Sequence, residues 1–88
     1  MAFGEKLKYW RAERALTFRG LSDRAHVDIA YLHRLENNLA VQPGRNIILR
    51  IAIGLKLDID DTNDLLIVAG HLPLLRRESI NTAHEVHA

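Results

Sequence analysis

Residues 17–37 leave room for little besides two short helices joined by a tight turn. Thr17 and Asp28 each carry a side-chain oxygen able to accept from a free backbone N–H of the following turn, so each marks an N-cap. A short helix is predicted from Phe18 to about Ala25, with Leu21 and Ala25 facing inward. Gly20 within it costs about 1 kcal/mol relative to Ala, so this helix depends on packing rather than propensity. Asp28 then opens a helix over residues 29–36, with Val27, Tyr31, Leu32 and Leu35 as its apolar face. Asn37-Asn38 ends it, because Asn tolerates the left-handed conformation that closes helices. Two short helices joined by a turn of about three or four residues form a helix-turn-helix by spacing alone.

The flanking chain is helical too. Phe3, Leu7 and Trp10 recur at i, i+4 and i+7, the stripe of an amphipathic helix expected over residues 3–15. Residues 39–43 read as a loop, and Pro43-Gly44 leads to a fourth helix starting near Arg45 or Asn46. Ile47, Ile48, Ile51, Ala52 and Leu55 make that helix apolar enough to be central. Residues 57–59 read as a connector, after which Asp60 or Asp61 is expected to cap a fifth helix running to Ala69. Carboxylates there meet the positive end of the helix dipole. Gly70 suits the position just past the helix, Pro73 blocks continuation, and His71 is expected to cap or pack at that end. No strand alternation, internal repeat or low-complexity segment interrupts the pattern. The expectation is an all-α, compact five-helix domain over residues 1–75. Residues 76–88 have weak periodicity and read as a frayed helix, a dimer arm or a disordered tail.

With 88 residues there is one domain, and 48% hydrophobic composition supports a core rather than a disordered chain. Absence of cysteine excludes disulfides and thiolate metal sites. No apolar run approaches the roughly 18 residues that span a bilayer, and residues 1–6 lack the layout of a signal peptide. A soluble cytoplasmic protein, with no membrane partner, is the expectation. A net charge of +1 argues little for nucleic acid, but its distribution does more. Residues 1–50 hold nine Lys/Arg against five Asp/Glu, and residues 51–88 hold three against six. The basic half contains the helix-turn-helix, as a surface facing phosphates requires, although chance produces such splits in small proteins as well.

Catalytic chemistry finds no foothold. There is no Ser/His/Asp arrangement, Gly-rich phosphate loop or paired-carboxylate pattern. His84, Glu85 and His87 are close in sequence but fall short of the three or four anchored ligands of a zinc site. Asp58, Asp60, Asp61 and Asp64 lack the Gly and terminal Glu of a calcium loop. Neither an enzyme, a metal nor a cofactor is expected.

The order of these elements, with Val27-Asp28-x-x-Tyr31-Leu32-x-Arg34-Leu35-Glu36-Asn37 followed by Pro43 and Ile51-Ala52-x-x-Leu55, resembles the Cro/repressor-type (XRE-like) helix-turn-helix family. That family includes phage repressors and many bacterial regulators, and the resemblance covers about residues 3–73. It implies a lambda-repressor-like domain whose third helix enters the major groove of double-stranded DNA, usually as a homodimer on a two-fold-related site. It also implies a structural pair between Arg11 and Glu36. Positions that commonly touch bases map onto Ile29, Ala30, His33 and Arg34. Phosphate contacts map onto Thr17, Arg19, Asn37, Asn38, Arg45 and Asn46, helped by free N–H groups at the starts of the second and fourth helices.

Three departures bear on mechanism. Phe18 stands where the family commonly has a Gln that meets a phosphate, and Phe cannot donate a hydrogen bond. It reads as core, as a partner-facing apolar residue, or as a contact to a sugar or thymine methyl. Ala15 and His26 stand where Gly is frequent. Ile29 and Ala30 cannot read donors and acceptors but can pack on a thymine methyl. Arg34 can address guanine bidentately, and His33 can donate or accept; both also read as a solvated helix face.

A second function class therefore stays open: an adaptor or antitoxin-like module in which Phe18, Ile29 and Ala30 bind a regulatory protein partner. Separately, Leu65, Leu66, Leu72, Leu74 and Leu75 exceed what one small helix needs, and read either as a homodimer surface or as core.

Overall fold

The computed structural model describes residues 2–75, which form five helices and no strand: α1 (Phe3–Glu13), α2 (Phe18–Ala25), α3 (Ile29–Glu36), α4 (Arg45–Gly54) and α5 (Ile59–Val68). The expectations for residues 76–88, including the His84–His87 pair, fall outside the described residues. Helix α4 packs on α2 and α5, α1 packs on α3 and α5, and α2 packs on α3. Leu7, Leu21, Leu32, Ile48, Ile51, Leu55, Leu65 and Leu66 are wholly removed from solvent at their centre. Each such side chain contributes about 1.5–3 kcal/mol of burial free energy. Trp10, Tyr31 and Ile47 sit at the margin of this core rather than inside it.

Leu65 and Leu66 are therefore core, which removes them from any dimer surface. The apolar surplus around α5 divides: these two face α4 and α1, while Leu74 is half-buried and Leu72 and Leu75 are exposed. One face of a helix cannot serve both the core and the outside.

Side-chain caps start three of the helices. Thr17 Oγ1 accepts from Gly20 N at 3.0 Å and Asp28 Oδ2 from Tyr31 N at 3.1 Å, as expected. At α5 the cap is Asp58, accepting from Asp61 N at 2.8 Å, not Asp60 or Asp61. The backbone at Asp58 is extended, so its carboxylate can reach forward to the N–H three residues on. Asp60 and Asp61 lie within the first turn, where their charges still meet the helix dipole.

All five helices end at a left-handed residue. Backbone bonds from Leu16 N to Arg11 O, Val27 N to Ser22 O, Leu39 N to Arg34 O, Leu57 N to Ala52 O and His71 N to Leu66 O close five Schellman-type turns. The left-handed residues that permit them are Ala15, His26, Asn38, Lys56 and Gly70. This is why α1 stops at Glu13 rather than at Ala15.

Beyond α5 the chain is strapped back onto the domain. The His71 ring lies 2.9 Å from Pro43 O, Arg45 donates to Leu72 O at 2.6 Å, and the Asn63 amide exchanges two bonds with the Leu74 backbone. Leu74 thereby packs against the core while Leu72 and Leu75 point away from it.

Candidate nucleic-acid interface

Helices α2 and α3 are separated by Val27 and Asp28 after the left-handed residue His26. Ser22 Oγ donates to Val27 O at 2.6 Å, locking the turn from within. Leu21, Ala25, Val27, Leu32 and Leu35 fix the two helices to the core, and α3 is left with Ala30, His33 and Arg34 facing outward. Ile29 is half-buried, so of the four base-reading candidates it offers the least surface. The Arg34 guanidinium lies 5.6 Å from the centroid of the Tyr31 ring one turn back.

Behind α3 the implied pair forms. Arg11 Nε donates to Glu36 Oε2 at 2.6 Å, Nη2 donates to Oε1 at 3.0 Å, and Nη1 donates to Leu16 O at 2.9 Å. The Glu36 side chain is 4% exposed and that of Arg11 18%. The hydrogen bond to Glu36 is the main reason the Arg11 pKa is raised further above its ordinary value. No buried side-chain N or O among the described residues lacks a hydrogen-bond partner. This ion pair therefore fastens α3 to α1 without leaving a desolvated group unsatisfied.

Phe18 completes the arrangement in a way the sequence did not reveal. The Arg11 guanidinium lies 4.0 Å from the centre of its ring. The His33 imidazole stacks on it with centroids 3.7 Å apart and planes inclined by 24°. Three helices thus meet in one column: α1 through Arg11, α2 through Phe18, α3 through His33. The only signal for it in the chain was the oddity of a Phe at that position.

The phosphate candidates separate into two sets. Arg19 and Asn46 are exposed at the starts of α2 and α4. The others already hold structural bonds. The Thr17 hydroxyl caps α2, Asn37 Nδ2 donates to His33 O at 2.8 Å, and Asn38 Oδ1 accepts from Gly4 N at 3.2 Å. Arg45 is engaged with Leu72 O through Nη1. Donors of Asn38 and Arg45 outside these bonds retain their capacity toward an anion. The α4 N-terminus has no side-chain cap hydrogen bond, Gly44 being the residue that precedes it. Among the described residues no three side chains capable of holding a metal converge, and no helix is long and apolar enough to cross a membrane.

A family model described as a helix-turn-helix domain matches residues 2–65. The chain belongs to this helix-turn-helix domain family. Its matched region takes in α1 through most of α5, in keeping with the resemblance to Cro/repressor-type proteins and with the all-α fold. No curated protein and no solved structure gives a match.

Proposed function

We propose that this helix-turn-helix protein is a sequence-specific transcriptional regulator that binds double-stranded DNA, with α3 in the major groove. The observation that carries the reading is the outward face of α3: the domain buries Leu32, Leu35 and Glu36 and leaves His33 and Arg34 free to meet base edges. Arg19 and Asn46 are exposed in the first turns of α2 and α4, and phosphate contacts at helix N-termini fix register. The protein-docking alternative needs Phe18, Ile29 and Ala30 to form one apolar patch. Phe18 is instead taken up between Arg11 and His33, and Ile29 is half-buried, which favours DNA.

Titration of a mixed-sequence duplex at increasing salt tests the reading. A fall of log K with log salt, with slope about −0.9 per phosphate neutralised, is the expected result. A folded protein with no affinity at low salt rules it out and leaves the adaptor reading standing.

Binding as a homodimer belongs to the same proposal, now resting on Leu72 and Leu75 alone among the earlier candidates that remain exposed. Sedimentation at rising concentration decides it: a mass that stays monomeric on DNA-free and DNA-bound samples alike removes the dimer.

A further inference from the structure

We infer that Phe18 is a positioning residue that pre-orients His33 to read the N7/O6 edge of a guanine, an inference that rests on the DNA-binding reading above. An exposed histidine on a helix rotates about two torsions, and binding must first immobilise it. His33 is exposed on α3, yet its ring already lies flat on Phe18 at 3.7 Å. Phe18 is itself half-buried and lies against the Arg11 guanidinium, which three hydrogen bonds hold in place. Two of those bonds end on Glu36, one turn beyond His33 on the same helix. The contacts therefore close on themselves: α3 to Arg11 through Glu36, Arg11 to Phe18, and Phe18 back to α3 through His33. Rigidity of the buried ion pair is carried outward to an exposed polar ring.

Stacking also selects what that ring can do. It covers one face of the imidazole and leaves the in-plane edge, where both nitrogens lie. Neither ring nitrogen of His33 makes a hydrogen bond among the described residues. An imidazole offers an in-plane N–H donor there, and when neutral its other nitrogen accepts; the N–H is the group that meets a purine N7 or O6. Of the four bases, guanine alone presents two adjacent acceptors, N7 and O6, in the major groove. Adenine places a donor beside its N7, cytosine presents a donor, and thymine offers O4 alone beside its methyl group, so guanine alone meets the N–H with an acceptor at either position.

The test uses the whole chain and a duplex library with a randomised centre. Wild type, H33A, F18L, F18Y and the F18L/H33A double variant are compared on the selected site, on its single-base variants and on mixed-sequence duplex. Wild type is expected to enrich a guanine whose preference H33A abolishes. F18L should weaken that same preference by roughly threefold to tenfold and leave the other positions and the salt slope unchanged. F18Y, which keeps the ring, should retain the preference, and the double variant should lose no more than H33A. A uniform loss across all positions in F18L, an untouched preference at the His33 position, or a base other than guanine there overturns the inference while DNA binding stands. Enrichment of no sequence by wild type overturns the sequence-specific part of the DNA reading, and this inference with it. Should F18L not fold, the wild-type chain still decides: in the free protein the carbon-bound His33 ring protons should be shifted upfield by the Phe18 ring current. Unshifted resonances overturn the stack.

Discussion

The Arg11 guanidinium meets the Glu36 carboxylate edge to edge, with donor–acceptor distances of 2.6 and 3.0 Å, and so fastens the first helix to the end of the third. Removing one partner strands the other. Arg11→Ala leaves a carboxylate that is 4% exposed without its charge partner, and should cost about 3–5 kcal/mol in urea unfolding. Arg11→Met combined with Glu36→Leu should recover most of that loss. Equal destabilisation by the single and double variants is the outcome that contradicts this account.

Left-handed residues at the helix ends supply a second prediction. Ala15, His26 and Lys56 have φ of 52°, 56° and 55°, a region that disfavours side chains by roughly 1 kcal/mol or more. Each replacement by Gly should stabilise the domain, by about 0.5–1 kcal/mol once the extra freedom of Gly in the unfolded chain is counted. Asn38→Gly should gain nothing, although its φ is 57°, because it deletes the bond to Gly4 N. Melting temperatures of the four variants check this ordering.

At Gly4, α1 comes close against the backbone of α3. A Cβ there would stand 2.5 Å from the carbonyl oxygens of both Leu35 and Glu36, and these are backbone atoms that cannot swing away. Gly4→Ala should destabilise by about 1–3 kcal/mol through forced separation of the two helices. A neutral effect in denaturant titration would mean that the helices part freely.

Arg34 distinguishes reading from gripping. Arg34→Ala should weaken binding to a selected site by roughly 1–3 kcal/mol and spare mixed-sequence duplex. Equal losses on both duplexes would assign the side chain to phosphate alone.

Asp61 gives a pH dependence of definite sign. Its pKa is raised in the folded chain, first by desolvation and then by the charge of Asp58 and Asp64, the hydrogen bond with Asp58 and the charge of Asp60. The folded state therefore holds this proton more tightly than the unfolded chain does. The associated stability is present below the unfolded pKa and is lost as pH rises through the folded one. Asp61→Asn should remove that loss, so the variant gains on wild type between acid and neutral pH. A constant difference at every pH is the contrary result.

Much of the fold was open to reading from local chemistry. The capping oxygens of Thr17 and Asp28, the spacing of Leu32 and Leu35, and Gly70 before Pro73 each act within a turn or two of chain, so residue type and order suffice. Where several neighbours could do the same task, order no longer decides. Asp58, Asp60 and Asp61 can all cap a helix, and the one that does is set by where the backbone turns extended. Leu65 and Leu66 were equally consistent with core and with a partner surface until α4 and α1 were seen to pack over them.

The sequence by itself determined the five helices and the helix-turn-helix at residues 17–37, because caps, periodicity and turn residues are short-range physics. Only the tertiary structure decided what faces outward from that motif. Phe18 touches Arg11 and His33 from a different helix than either, and no local pattern encodes that three such helices bring a guanidinium, a phenyl ring and an imidazole within 4.0 Å of one another in sequence along the column.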